Sequence, residues 1–121
     1  MTEFKLIVAG GRDFADYRLL SKAILDLANG AYADKGVSIV SGMARGADAL
    51  GARFAKEHGV QLYEAPANWD KYGKRAGFVR NNEMGVFSDG LLAFWDGQSK
   101  GTEQMIQYMR SLKKPVTVIR Y

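Results

Sequence analysis

Val37-Ser38-Ile39-Val40-Ser41-Gly42-Met43-Ala44-Arg45-Gly46-Ala47-Asp48 is the stretch around which this chain is built. The first four residues form an apolar, β-branched run that reads as a strand. Ser41-Gly42 and Gly46 bracket a turn, and Gly46-Ala47-Asp48 opens a segment with helical spacing. A strand passing through a glycine-flanked turn into a helix is a ready anion site. The helix N-terminus offers unpaired N–H groups and the positive end of a dipole, and glycines let backbone approach a phosphate. Arg45 adds a planar, permanently charged fork inside that turn. The same residues also read as an ordinary βα connection whose glycines only make the turn.

Working outward, the same punctuation recurs. Phe4-Lys5-Leu6-Ile7-Val8-Ala9 is a run apolar enough for a central strand covered on both faces, and it ends in Gly10-Gly11. Leu19, Leu20, Ala23, Ile24, Leu27 and Ala28 mark one face of a helix, and Asn29-Gly30 stops it. Ala47, Leu50, Phe54 and Ala55 mark a second helix, stopped at His58-Gly59. Residues 60–65 predict a third strand, cut by Pro66, and residues 68–77 predict an irregular loop. Residues 78–86 predict a helix and residues 90–95 a fourth strand. Met105, Ile106, Met109 and Leu112 give another amphipathic helix, and Pro115 opens a last strand over residues 116–119.

Strands alternating with helices predict an α/β fold. We expect one Rossmann-like domain over residues 1–121, with a five-stranded, mainly parallel sheet in the order 3-2-1-4-5 and helices on both faces. Ligands of such sheets bind beyond the carboxyl ends of the strands, where strand order reverses. With that order, strands one and four flank the reversal point, and four polar turns gather on one rim: residues 10–14, 41–48, 66–80 and 96–102.

Composition narrows the class of protein. With 121 residues the chain is long enough for one real core. It has no cysteine, which excludes disulfides, thiolate metal sites and a cysteine nucleophile. A single histidine and no acidic cluster argue against a transition-metal site or a Ser-His-Asp triad. No apolar run approaches the roughly 20 residues of a membrane span. The opening Met-Thr-Glu-Phe-Lys lacks the basic-then-apolar pattern of a signal peptide, so a cytoplasmic chain is expected. A net charge of +4 suits a phosphorylated small molecule as well as a nucleic acid, but the basic residues are scattered.

Each turn offers candidates. In the first, Gly10 and Gly11 suit close backbone approach and Arg12 can contact phosphate; Asp13 is either a ligand contact or the cap of the first helix. In the second, Ser41, Gly42, Ala44, Arg45, Gly46 and Asp48 are candidates, with Asp48 alternatively only favouring the helix dipole. In the long loop, Trp69 can stack a base, or serve packing, as can Tyr72; Arg75 follows. Arg80 and Asn81 sit at the start of a helix. In the fourth turn Trp95, Asp96, Ser99, Gly101 and Thr102 are candidates, Thr102 both as N-cap and as phosphate contact. Glu103 is either an acid/base group or a surface acid that suits the dipole.

Four of these segments together resemble the SLOG superfamily, and most closely its small stand-alone branch related to YspA and YpsA. They are Gly-Gly-Arg-Asp-Phe (10–14), Ser-Gly-Met-Ala-Arg-Gly-Ala-Asp (41–48), Arg-Asn-Asn-Glu-Met (80–84) and Trp-Asp-Gly-Gln-Ser-Lys-Gly-Thr (95–102). That superfamily also contains DprA and the LOG phosphoribohydrolases. The resemblance implies a nucleotide or nucleotide-derivative binding protein, a sensor or sequestering module, with no cofactor and with a homo-oligomeric habit. Arg12, Arg45 and Thr102 would contact phosphate, Trp69 or Trp95 would flank the base, and Arg80 would close the site. A LOG-like enzyme that cleaves the N-glycosidic bond of a nucleoside monophosphate is the alternative, with Arg80 as electrostatic stabiliser and Glu103 in a catalytic role. LOG enzymes carry their glutamate two residues beyond Gly-Thr, where this chain has Gln104; Glu103 lies about 100° away around a helix. DprA-like binding of single-stranded DNA is a weaker alternative, disfavoured by the scattered charge.

Overall fold

The computed structural model describes residues 2–121. Five strands, β1 (Thr2–Gly10), β2 (Lys35–Ser41), β3 (Leu62–Glu64), β4 (Gly90–Trp95) and β5 (Val116–Arg120), form one sheet in the order β3-β2-β1-β4-β5. Every neighbouring pair is parallel, so the sheet is wholly rather than mainly parallel. Such a sheet needs cover on both faces, and the alternation along β1 supplies it. Phe4, Leu6 and Val8 pack with Leu20 and Ile24 of α1 (Tyr17–Asn29) and Phe54 and Ala55 of α2 (Ala47–His58). Ile7 and Ala9 face the other way, onto Met84 of α4 (Ala76–Phe87) and Met105, Ile106 and Met109 of α5 (Lys100–Ser111).

The sequence pattern misplaces several boundaries. β3 is only three residues long, because its pairing with β2 is confined to Ile39, Val40 and Ser41. The expected loop of residues 68–77 holds a short helix, α3 (Trp69–Tyr72), and a single 3-10 turn at Gly73–Arg75 that runs into α4. Asn68 caps α3, its side chain accepting from the Lys71 N–H at 3.1 Å. Asp13 does not cap α1; Asp16 does, accepting from the Leu19 N–H at 3.0 Å. Nor is Thr102 an N-cap: it lies in the first turn of α5, behind Ser99. Asp13 instead accepts the hydroxyl proton of Tyr121, brought to it by β5.

The turns after β1 and β2 pack backbone to backbone. The Gly11 carbonyl accepts from the Ala47 N–H at 3.2 Å, and the Gly11 N–H donates to the Phe94 carbonyl at 3.1 Å. Gly46, at φ +79°, is the residue that permits this approach; a Cβ there would collide with the Gly11 carbonyl and the Arg12 backbone. We predict that Gly46→Ala loses about 2–4 kcal/mol of stability in urea unfolding, from backbone strain and overlap together. Gly77→Ala, where a Cβ meets only Trp69 at 3.8 Å, should be neutral or gain up to about 1 kcal/mol in the same experiment.

Candidate functional site

The carboxyl ends of β1 and β4, the two strands at the reversal point, open onto a cavity of about 370 Å³. It is lined by Gly10, Gly11, Arg12 and Asp13 from the first turn and by Ala44 and Asp48 from the second. Arg80 and Asn81 of α4 and Asp96, Ser99, Gly101 and Thr102 of the fourth turn complete it, with Ala9 and Met105 as apolar floor. A second chamber, of about 440 Å³, adjoins it. Its walls are Gly42, Met43, Ala44 and Arg45 on one side and Pro66, Ala67 and Trp69 on the other. Arg12, Ala44 and Arg80 line both chambers.

Arg80 is the fixed centre. Its Nε donates to Asn81 Oδ1 at 3.0 Å, and Nη1 donates to the carbonyls of Gly42 at 2.5 Å and Ala65 at 3.4 Å. These acceptors come from its own helix, the β2–α2 turn and the end of β3, so the guanidinium is set by three elements. Nη2 has no protein partner among the described residues. A half-buried guanidinium with one edge satisfied and one open is suited to an anionic group.

Asp48 lies close by but does not form an ion pair with Arg80. Both crowd the same glycine: a methyl on Gly42 would stand 2.6 Å from Asp48 Oδ2 and 2.5 Å from Arg80 Nη1. Burial pushes the Asp48 carboxyl up to about 6, against the opposing pull of Arg80 and of the N–H groups of Ala44 and Gly10 that it accepts. Burial likewise lowers the Arg80 guanidinium from its ordinary value, with Asp48 opposing and Arg12 reinforcing the shift. For both groups desolvation outweighs mutual attraction.

Opposite Arg80, α5 begins without a side-chain cap. Asp96 spends its carboxylate on the N–H groups of Gln98 and Ser99, both at 2.8 Å, and these bonds hold its carboxyl below the ordinary range. The first turn of α5, with Gly101 and Thr102 on the cavity wall, is left open toward it. Asn81 ties this turn to α4: its Nδ2 donates to Gln104 Oε1 at 3.0 Å and reaches the Gly101 carbonyl at 3.4 Å. Gln104 Nε2 in turn donates to Asn82 Oδ1 at 2.8 Å.

The sequence pattern of the YspA, cpYpsA-related SLOG family matches residues 4–72. The chain belongs to that family. The gene 61 protein of Mycobacterium phage D29 is 32% identical to it over 119 residues, covering 93% of each chain. Among solved structures, DNA processing protein A of Helicobacter pylori, described for its single-stranded DNA binding mode, superposes with a TM-score of 0.69. At 19% identity that likeness is one of fold; it takes in 99% of this chain and 66% of the other.

Not every candidate residue of this SLOG chain reaches the two chambers. Ser41 is buried beneath the turn, its Oγ donating to the Asp48 carbonyl at 2.8 Å and accepting from the Met43 N–H. Gly46 is the N-cap residue of α2, and Arg75, exposed, is that of α4; neither lines a chamber. Trp95 braces the fourth turn, its indole N–H donating to the Ser99 carbonyl at 3.1 Å, and Glu103 also lies off the walls. Tyr121 joins the rim although the sequence does not mark it. It covers Gly11, where a Cβ would overlap its hydroxyl, and burial with its bond to Asp13 pushes its phenol up to about 12. No local signal in the sequence marks a contact spanning 108 residues. In the sequence Gln104 stands out only as a departure from an enzyme motif; in the structure it clamps α4 to α5. Among the described residues no cluster of acids and histidine is arranged to hold a metal ion.

Asp48 makes stability depend on pH with a definite sign. Its carboxyl titrates near 6 when folded and at its ordinary 3.8 when unfolded. Between those values the folded chain holds a proton that the unfolded chain has lost, so stability falls as pH rises through that window and levels off above it. The slope is about 1.4 kcal/mol per pH unit. Urea unfolding of the wild type and Asp48→Asn at pH 4, 5, 6 and 7 should show their stability difference moving against the wild type over that range. A difference that stays flat contradicts the buried carboxylate.

Proposed function

We propose that this SLOG protein binds a nucleotide or nucleotide derivative as a sensor or sequestering module. The observation that carries the reading is the open edge of Arg80, fixed by three acceptors and set across the cavity from an uncapped helix N-terminus. A phosphate bound in that cavity has backbone N–H donors and a guanidinium on its walls. Arg12 adds a second, exposed charge at the mouth. Asp48 and Asp13 on the same walls give a sugar or base hydrogen-bond acceptors. The cavity is at the small end of ligand sites and suits one nucleotide-sized group.

The hydrolase alternative has less support. Gln104 is a neutral amide, already committed to Asn81 and Asn82, and Glu103 is off the cavity wall. That the DprA structure is described for single-stranded DNA belongs to that protein. We further propose that residues 1–121 act as one cytoplasmic unit that self-associates through α4, where Phe78, Val86 and Phe87 are exposed.

A thermal-shift panel of nucleoside 5′-monophosphates tests the reading. A ligand at one hundred times its dissociation constant adds about 2.7 kcal/mol of stability. Arg80→Gln should abolish that gain; no shift with any nucleotide sinks the proposal. Chromatography of the same mixtures should show no free base, and its release at catalytic protein concentration would favour the hydrolase. Light scattering should give a dimer or larger assembly, dissociated by Val86→Lys; a monomer at all concentrations excludes self-association.

A further inference from the structure

We infer that the outer chamber is a second nucleoside subsite, so that the ligand is two nucleoside units joined through phosphate rather than one mononucleotide. This rests on the nucleotide reading of the inner cavity. The two chambers differ in chemistry. The inner wall mixes two arginines with three carboxylates, Asp13, Asp48 and Asp96. The outer wall carries Arg12, Arg45 and Arg80 and no carboxylate. None of these arginines is in an ion pair among the described residues. Asp48 faces Arg80 from beneath Gly42, but three guanidiniums around a concave surface whose own wall carries no carboxylate still make a local anion site.

The outer chamber also offers a stacking surface. Trp69 is half exposed, at 51%, although it lies on the chamber wall and not on an isolated patch. α3, capped by Asn68, fixes its backbone. An exposed indole beside arginines is the combination that holds a nucleic base by its face, with little preference among bases. Met43, held at φ +62°, also contributes to this chamber.

The shared residues settle where the bridge lies. Arg12 and Arg80 stand on the wall of both chambers, so a phosphate linking two nucleosides passes between them. One unit then lies in the inner cavity, and the other stacks on Trp69 with Arg45 beside it. A mononucleotide leaves the outer chamber and its charge unused.

Calorimetric titration separates the two ligand sizes. The probes are the 5′-monophosphates, the 5′-phosphorylated dinucleotides and the 5′,5′-diphosphate-bridged dinucleosides of adenine and guanine. At least one bridged ligand should bind about tenfold or more tighter than its mononucleotide, the scale of one added stacking contact. In Trp69→Ala and in Arg45→Gln that ratio should collapse toward one. Equal affinity for bridged and single ligands overturns the second subsite and leaves the nucleotide reading standing. So does a ratio that survives both substitutions. Failure of every probe to bind overturns the nucleotide reading and the subsite together.

Discussion

One backbone hydrogen bond, from the Ala47 N–H to the Gly11 carbonyl, joins the turns that leave β1 and β2. Parallel pairing of these strands brings their carboxyl ends side by side, but only the near-contact at Gly46 lets the turns touch. Much of the site is built on that contact. It sets the start of α2 and so the position of Asp48. Asp48 in turn accepts N–H groups from Gly10 and Ala44, one from each turn. Gly42 leaves the space into which both Asp48 and the Arg80 guanidinium crowd. A side chain at Gly42 or Gly46 would separate parts that the rest of the rim presupposes.

The buried charges follow from this closeness. Asp48 and Arg80 are each taken out of water without forming a direct ion pair, and in both the loss of hydration dominates. Arg80 recovers part of that loss through two carbonyls and the Asn81 side chain. What remains is a cation held at a fixed point with unused donor capacity, in surroundings where an arriving anion interacts more strongly than it would in water. Such a group is poor for stability and well suited to binding, because the folded chain has already met the cost of fixing it.

The amide chain from Asn81 through Gln104 to Asn82 gives the site its other character. It ties α4 to α5, and thereby holds the two anion-attracting elements, Arg80 and the open helix start, at a constant spacing. Amides serve this purpose because each donates and accepts at once. They do not exchange protons near neutral pH as a carboxylate or an imidazole does, so the tie between the two helices does not change with pH.

The order of elements, the parallel sheet and the rim on which the turns collect were legible in the sequence. They follow from local facts: apolar runs of strand length, helical spacing, glycine stops and the handedness of βαβ crossovers. The gathering of Gly10, Gly11, Arg12, Asp48, Asn81 and Thr102 around one cavity follows from the same rule, since all parallel strands end on one rim. The length of β3 was not legible, because it depends on how far β2 extends beside it. Nor was the division of labour among the candidates. Arg45 and Trp69 fall to an outer chamber, Trp95 and Glu103 fall outside both, and Tyr121 arrives from the far end of the chain. Sequence spacing fixes which end of an element a residue occupies, but the cavity that its side chain lines depends on helix rotation and on the closeness of neighbouring turns. Those are set by packing between elements distant in sequence, and they exist only in the folded chain.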